Sequence, residues 1–204
     1  MKLRGLYAIT PELEDTEMLL RSVAQALEGG IAMLQYRRKG KQHIDEARTL
    51  ARMCRDRAVP FVVNDDVALA LDCGADGAHL GRDDGELAAA RAMLGGKLLG
   101  TSCYDSLAAA RAAVAAGADY VAFGSAFRSP TKPAAVRAPL RLFAEARALG
   151  VPLVAIGGIT LQNAPQLLAA GADCLAVISD LFEAPDISEK ARAYGKLFGH
   201  DLTQ

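Results

Sequence analysis

Eight apolar, strand-like runs alternate with helix-patterned segments along the 204-residue chain, and they predict an α/β fold, a single-domain (β/α)8 TIM barrel. Three observations carry this. Strict alternation calls for a parallel sheet with right-handed crossovers. Eight strand–helix units in roughly 200 residues favour a small closed barrel over an open doubly wound sheet. A short turn also recurs: Gly74-Ala75-Asp76, Gly117-Ala118-Asp119 and Gly171-Ala172-Asp173 each follow an Ala/Leu-rich segment and precede an apolar run, with Glu28-Gly29-Gly30 as a looser copy. Gly just past a helix end adopts the left-handed conformation cheaply, so the repeat marks helix-to-strand turns.

The elements follow in order. Strands are expected at Leu3–Thr10, Ile31–Arg37, Pro60–Asn64 and Gly77–Gly81, where apolar residues cluster between turn signals. The other four are Leu98–Ser102, Tyr120–Gly124, Pro152–Gly157 and Cys174–Ser179. Between them lie helical patterns at Thr16–Glu28, Ile44–Arg57, Val67–Leu71, Gly85–Leu94, Ser106–Ala116, Leu140–Leu149 and Leu161–Ala169. A tail helix falls around 187–197, and no linker divides residues 1–204, which read as one domain.

Composition narrows the function. With 23 basic and 24 acidic residues and a net charge of −1, no global field favours nucleic acid, so an anion site must be local. Cys54, Cys73, Cys103 and Cys174 are far apart without a metal-ligand spacing, and read as buried free thiols of a reducing compartment. The opening MKLRGLYAIT lacks the apolar stretch of a signal peptide, and no run reaches the roughly 20 apolar residues of a membrane span. A cytoplasmic protein with no membrane or nucleic-acid partner is expected. A homo-oligomer is left open.

In such a barrel the chemistry lies at the C-terminal ends of the strands. Those ends read Gln35-Tyr36-Arg37-Arg38-Lys39, Asn64-Asp65-Asp66, His79-Leu80-Gly81-Arg82-Asp83-Asp84 and Thr101-Ser102, then Phe123-Gly124-Ser125 leading to Ser129-Pro130-Thr131-Lys132, then Gly157-Gly158 and Ile178-Ser179. Alternation points Gln35, Arg37 and Lys39 to one face, and Tyr36 and Arg38 to the other. Charges buried there must pair with one another, a metal or a ligand. Mutual pairing accounts for Arg38, Arg82 and Asp83. The remaining cations, with carboxylates on neighbouring strands, suit Mg²⁺ and a diphosphate. The Gly157-Gly158 turn and the residues after the eighth strand suit a second phosphate held by backbone N–H groups. His79 reads as a packed histidine.

The segments LYAIT, QYRRK, VNDD, GADGAHLG, LLGTS, ADYVAFGS, SPTK, VAIGGIT and AVIS, one after another from Leu6 to Ser179, resemble the thiamine phosphate synthase family. The resemblance implies a transferase that joins a hydroxymethylpyrimidine diphosphate to a hydroxyethylthiazole phosphate and releases pyrophosphate. It implies that Gln35, Tyr36, Arg37, Arg38, Lys39, Asn64, Ser102 and Lys132 hold the pyrimidine diphosphate, with Arg37, Lys39, Ser102 and Lys132 acting in catalysis. It further implies Asp65 and Asp84 on Mg²⁺, and Ser129, Pro130, Thr131, Gly158, Ile178 and Ser179 on the thiazole phosphate. Pro11, Asp66, Arg82 and Ser129 depart from the commoner residues, and Asp66 and Arg82 change charge near the implied metal. A thiazole tautomerase on the same barrel need not bind a diphosphate, so the set Arg37, Lys39, Asp65, Asp84 and Lys132 argues against it. A non-catalytic sensor of a thiamine precursor would be marked by losses at those positions. A sugar-phosphate epimerase needs an acid–base pair across its substrate, and none can be assembled.

Overall fold

The computed structural model of the chain describes residues 3–38, 43–81, 85–128 and 137–199. Eight parallel strands close in sequence order into a barrel: β1 Gly5–Ile9, β2 Met33–Tyr36, β3 Phe61–Asn64, β4 Gly77–Leu80, β5 Leu98–Tyr104, β6 Tyr120–Phe123, β7 Leu153–Ile156 and β8 Cys174–Val177. The helices are α1 Thr16–Glu28, α2 Ile44–Arg55, α3 Val67–Asp72, α4 Leu87–Leu94, α5 Leu107–Ala115, α6 Arg141–Ala146, α7 Ala164–Ala170, α8 Ser179–Phe182 and α9 Ile187–Leu197. Side-chain oxygens of Asp15, Asp66, Ser106 and Asp186 accept backbone N–H groups at the starts of α1, α3, α5 and α9. None of the described helices is long and apolar enough to cross a membrane.

Several bounds differ from the sequence reading: β5 runs on to Tyr104, β1 and β2 start two residues later than expected, and α6 gives way to a 3-10 turn over Arg147–Leu149. Helix α7 starts at Ala164, not Leu161. Pro165 has no N–H to return to Leu161, so it is tolerated only in the first turn. Helix α8 was not foreseen, because a four-residue element carries no readable period.

Strand alternation sorts the core into two layers. Leu6, Leu34, Val63, Ala78, Leu99, Val121, Ala155 and Leu175 pack outward against the helices. Tyr7, Ile9, Met33, Val62, Tyr120, Val154, Cys174 and Ala176 fill the barrel interior. Placing both layers on strands four to seven residues long fixes which residues reach the mouth.

The Gly-Ala-Asp turns latch strand pairs at the opposite rim. Asp76 donates its N–H to the Phe61 carbonyl at 2.8 Å, and its Oδ2 accepts the Phe61 N–H at 2.8 Å. Asp119 does the same with Leu99 (2.7 and 2.7 Å), and Asp173 with Leu153 (2.8 and 3.0 Å). The latches therefore join β3 to β4, β5 to β6 and β7 to β8. In the β1–β2 pair the position is Ala32, whose N–H reaches the Leu6 carbonyl at 2.7 Å, with no carboxylate to complete the exchange.

Candidate active site

A cavity of about 650 Å³ opens at the C-terminal ends of the strands. Gln35, Asn64, His79 and Ser102 enter it from β2, β3, β4 and β5, all at inward-pointing positions. Arg37, just past β2, lines it too, and its guanidinium pairs with Glu12 at 3.1 Å. Thr10 fixes this strand end: its hydroxyl donates to the Arg37 carbonyl at 3.0 Å and accepts the Arg37 N–H at 2.8 Å.

Tyr36 and Arg38 do not line the cavity. They turn to the helix side, where the buried Glu46 carboxylate accepts the Tyr36 hydroxyl at 2.7 Å and Arg38 Nη1 at 2.8 Å, together with the Thr16 hydroxyl. Burial and the Glu46 bond push the Tyr36 phenol well above its usual range, which keeps it a donor. One strand end thus faces two ways, with Gln35 and Arg37 toward the cavity and Tyr36 and Arg38 into a buried polar cluster.

Below Ser102 runs a hydrogen-bonded chain that sequence reasoning missed. Tyr7 and Tyr120 share a bond of 2.9 Å, Tyr120 reaches His79 Nδ1 at 3.1 Å, and His79 Nε2 meets Ser102 Oγ at 2.9 Å. His79 also stacks on Tyr120 with ring centroids 5.6 Å apart. Burial raises both tyrosine pKa values well above the ordinary range, so the phenols stay neutral. The sequence signal was the inward parity of His79 in β4; its partners lie 23 and 41 residues away.

On the far side of the cavity stand Gly157, Gly158, Ile178 and Ser179. Both glycines have positive φ (101° and 62°). A Cβ on Gly158 would lie 2.3 Å from the Arg128 carbonyl oxygen, and one on Gly157 2.2 Å from Ser125 Oγ, so neither position admits a side chain without displacement. Asn163, also missed, braces the turn: its Nδ2 donates to the Gly158 carbonyl at 2.9 Å and its Oδ1 accepts the Thr160 N–H at 2.9 Å. An Asn three residues past Thr160 was the available signal. Arg128, Asp180 and Lys190 line the same end and were also unforeseen.

Asp65 stands at the end of β3 with φ 66°, in a shallow depression beside the main cavity, with Asp66 and Glu86. Asp66, one of the departures noted above, caps α3 by accepting the Leu69 N–H at 2.8 Å. Among the described residues no group of three or more His, Cys, Asp or Glu forms a metal cluster. Asp65 supplies the hard oxygen donor that Mg²⁺ prefers. Lys39, Asp84, Ser129, Pro130, Thr131 and Lys132 lie outside the described residues, as does Arg82.

A closed barrel with a largely apolar cavity at its C-terminal rim, entered by a few convergent polar side chains, and a glycine turn after β7 is the architecture of barrel enzymes acting on small molecules. The particular family follows from comparison. Residues 6–181 match the family described as thiamine monophosphate synthase. The thiamine-phosphate synthase of Aromatoleum aromaticum is 56% identical over 202 residues, covering 97% of each chain. That of Bordetella pertussis is 56% identical over 205 residues, covering 95% of this chain and 94% of the relative. The solved thiamine phosphate pyrophosphorylase from Pyrococcus furiosus superposes with a TM-score of 0.86 at 33% identity, covering 97% of this chain and 96% of that one. A 3-hexulose-6-phosphate synthase at 18% identity and TM-score 0.72 shares the fold alone. The chain belongs to the thiamine monophosphate synthase family and is a transferase.

Proposed function

We propose that this chain joins hydroxymethylpyrimidine diphosphate to hydroxyethylthiazole phosphate, giving thiamine phosphate and pyrophosphate, in a single catalytic domain of the cytoplasm. The observation that carries the reading is the two-sided cavity. Gln35, Arg37, Asn64 and Ser102 converge on one side, and the side-chain-free turn at Gly158 with Ile178 and Ser179 forms the other. Relatives named thiamine-phosphate synthase, more than half identical over nearly the whole chain, support it.

The carbon under attack is a methylene on an electron-rich aminopyrimidine. Such a carbon tolerates positive charge, so the diphosphate can leave first. The task is then to stabilise charge developing on the leaving group, which is electrostatic work. Arg37, with Lys39 and Lys132, serves that charge, and the Gln35 and Asn64 amides orient the pyrimidine. Asp65 and Asp84 would hold Mg²⁺, which when bound supplies Lewis-acid neutralisation of the diphosphate. The Gly158 turn, the Ile178 and Ser179 backbone and Ser129 to Thr131 take the thiazole phosphate. Its grip places the ring nitrogen against the cationic carbon. That nitrogen has a free lone pair and needs no general base. Tyr36 and Arg38 act from behind, by holding the β2 end on Glu46.

The test is a coupling assay with both substrates and Mg²⁺, following thiamine phosphate by mass. Mg²⁺-dependent product is expected, lost on chelation. Lys132→Ala and Asp84→Ala are each expected to lower kcat by roughly 100-fold or more while the protein stays folded. Folded wild-type protein that makes no product would sink the reading.

A further inference from the structure

At the thiazole end of the cavity a carboxylate sits where an anion is to bind. Asp180 follows Ser179 directly and lines the cavity, as does Glu183. Two residues one helical turn apart on α9 reach Asp180. The Tyr194 hydroxyl donates to its Oδ2 at 2.7 Å, and Lys190 Nζ lies 3.5 Å from the same oxygen. Tyr194 is fully buried, and burial with the neighbouring carboxylate pushes its phenol well above the usual range. The phenol therefore stays protonated and anchors Asp180 in place.

Lys190 is held less tightly. A separation of 3.5 Å is long for an ammonium–carboxylate contact, which is normally about 2.7–2.9 Å. Its side chain is 26% exposed, it lines the cavity, and an ammonium carries three donors. One donor suffices for Asp180, and the others are available to a second anion.

We propose that Lys190 is a specificity-determining residue for the second substrate: it binds the thiazole phosphate while neutralising Asp180, and so makes this end of the cavity prefer the phosphorylated form over the free alcohol. The inference rests on the reading of Gly158, Ile178 and Ser179 as the phosphate subsite. Without the ammonium, two carboxylates would face the incoming phosphate, and like-charge juxtaposition is the usual device for rejecting a ligand.

The experiment measures KM for hydroxyethylthiazole phosphate and for unphosphorylated hydroxyethylthiazole in wild-type protein and variants. Lys190→Ala is expected to raise KM for the phosphate roughly tenfold, the size of one charged hydrogen bond. KM for the alcohol and for the pyrimidine diphosphate should change less than about twofold, since neither places an anion there. Lys190→Arg should retain the preference, and Asp180→Asn combined with Lys190→Ala should recover only the part of the loss that the unneutralised carboxylate causes. An equal change for both thiazole forms, or none, overturns the proposal. Gly158→Val is the control for the underlying subsite. If it raises KM for the phosphate while Lys190→Ala does not, only the role of Lys190 falls. If Gly158→Val has no effect, or wild-type protein makes no product, the subsite and the proposal fall together. Melting temperatures of all variants identify any loss through misfolding.

Discussion

The ring of Tyr120 fills the space in front of Gly100: a Cβ on Gly100 would lie 1.9 Å from Tyr120 Cζ. The two are register partners on β6 and β5. The missing side chain lets the phenol cross the barrel to both Tyr7 and His79. Gly100→Ala is expected to displace the ring at a cost of about 1–3 kcal/mol of overpacking, with a fall in melting temperature of about 2–4 °C per kcal/mol. Tyr120→Phe keeps the ring but leaves two buried groups short of a partner, costing about 1–3 kcal/mol. Both variants should also raise KM for the pyrimidine diphosphate, because Ser102 loses its oriented histidine. Scanning calorimetry with steady-state kinetics checks this, and an unchanged KM in both would sever the chain from the site.

The opposite faces of the β2 end separate function from stability. Arg38→Ala removes one partner of the buried Glu46 pair and is expected to cost about 3–5 kcal/mol. Arg37→Ala should barely move stability but should raise KM for the diphosphate by roughly tenfold or more. Urea unfolding of the two variants, read beside their kinetics, gives the comparison. A stability loss for Arg37→Ala larger than for Arg38→Ala would contradict the geometry.

Asp119→Ala removes the carboxylate that accepts the Leu99 N–H at the rim away from the cavity. A loss of about 1–2 kcal/mol is expected from this bond, with both KM values unchanged. The unfolding midpoint and the two Michaelis constants are the readouts. A shifted KM would mean that strain at one end of β5 reaches the other.

Alkaline pH should destabilise the protein before it alters the site. Burial pushes the thiols of Cys54, Cys103 and Cys174 up from about 9 to about 12, and raises the phenols of Tyr7, Tyr120 and Tyr194. In the unfolded chain these groups ionise first, so the folded state binds more protons. Stability is therefore fully present below pH 9 and falls as pH climbs toward 12, at about 1.4 kcal/mol per pH unit for each thiol. Urea midpoints between pH 7 and 11 test the slope. Below pH 9 the native protein should resist a thiol reagent until it unfolds.

What the sequence made legible was whatever alternation or a turn signal could carry. Gln35 and Arg37 read as one face and Tyr36 and Arg38 as the other, because side chains in a strand alternate strictly. The Gly-Ala-Asp turns marked strand starts, since glycine closes a helix. Other features were illegible because their partners are distant. Glu46 shows no reason in the sequence to meet Thr16, 30 residues back, and Asp180 none to meet Tyr194 on another helix. Asp66, which read as a charge change near the metal, serves as a helix cap. The Lys190 position lies on a tail helix that a search confined to strand ends passes over.

The latches give the barrel a grain. Each joins an odd strand to the even strand after it, so the exposed Gly95-Gly96 step between α4 and β5 crosses none of them. A chain divided there leaves one carboxylate clasp in the first fragment and two in the second. Each carboxylate clasp then closes within one fragment, the β8–β1 seam is a ladder, and the β4–β5 seam adds to its ladder the Arg91–Asp119 pair (3.3 Å) and the bond from Lys97 Nζ to the Ala75 carbonyl (2.6 Å), contacts that draw the two halves together. Two separately expressed fragments cut at this step should reassemble into an active barrel, whereas a cut between β5 and β6 would ask the clasp of Asp119 to form between molecules.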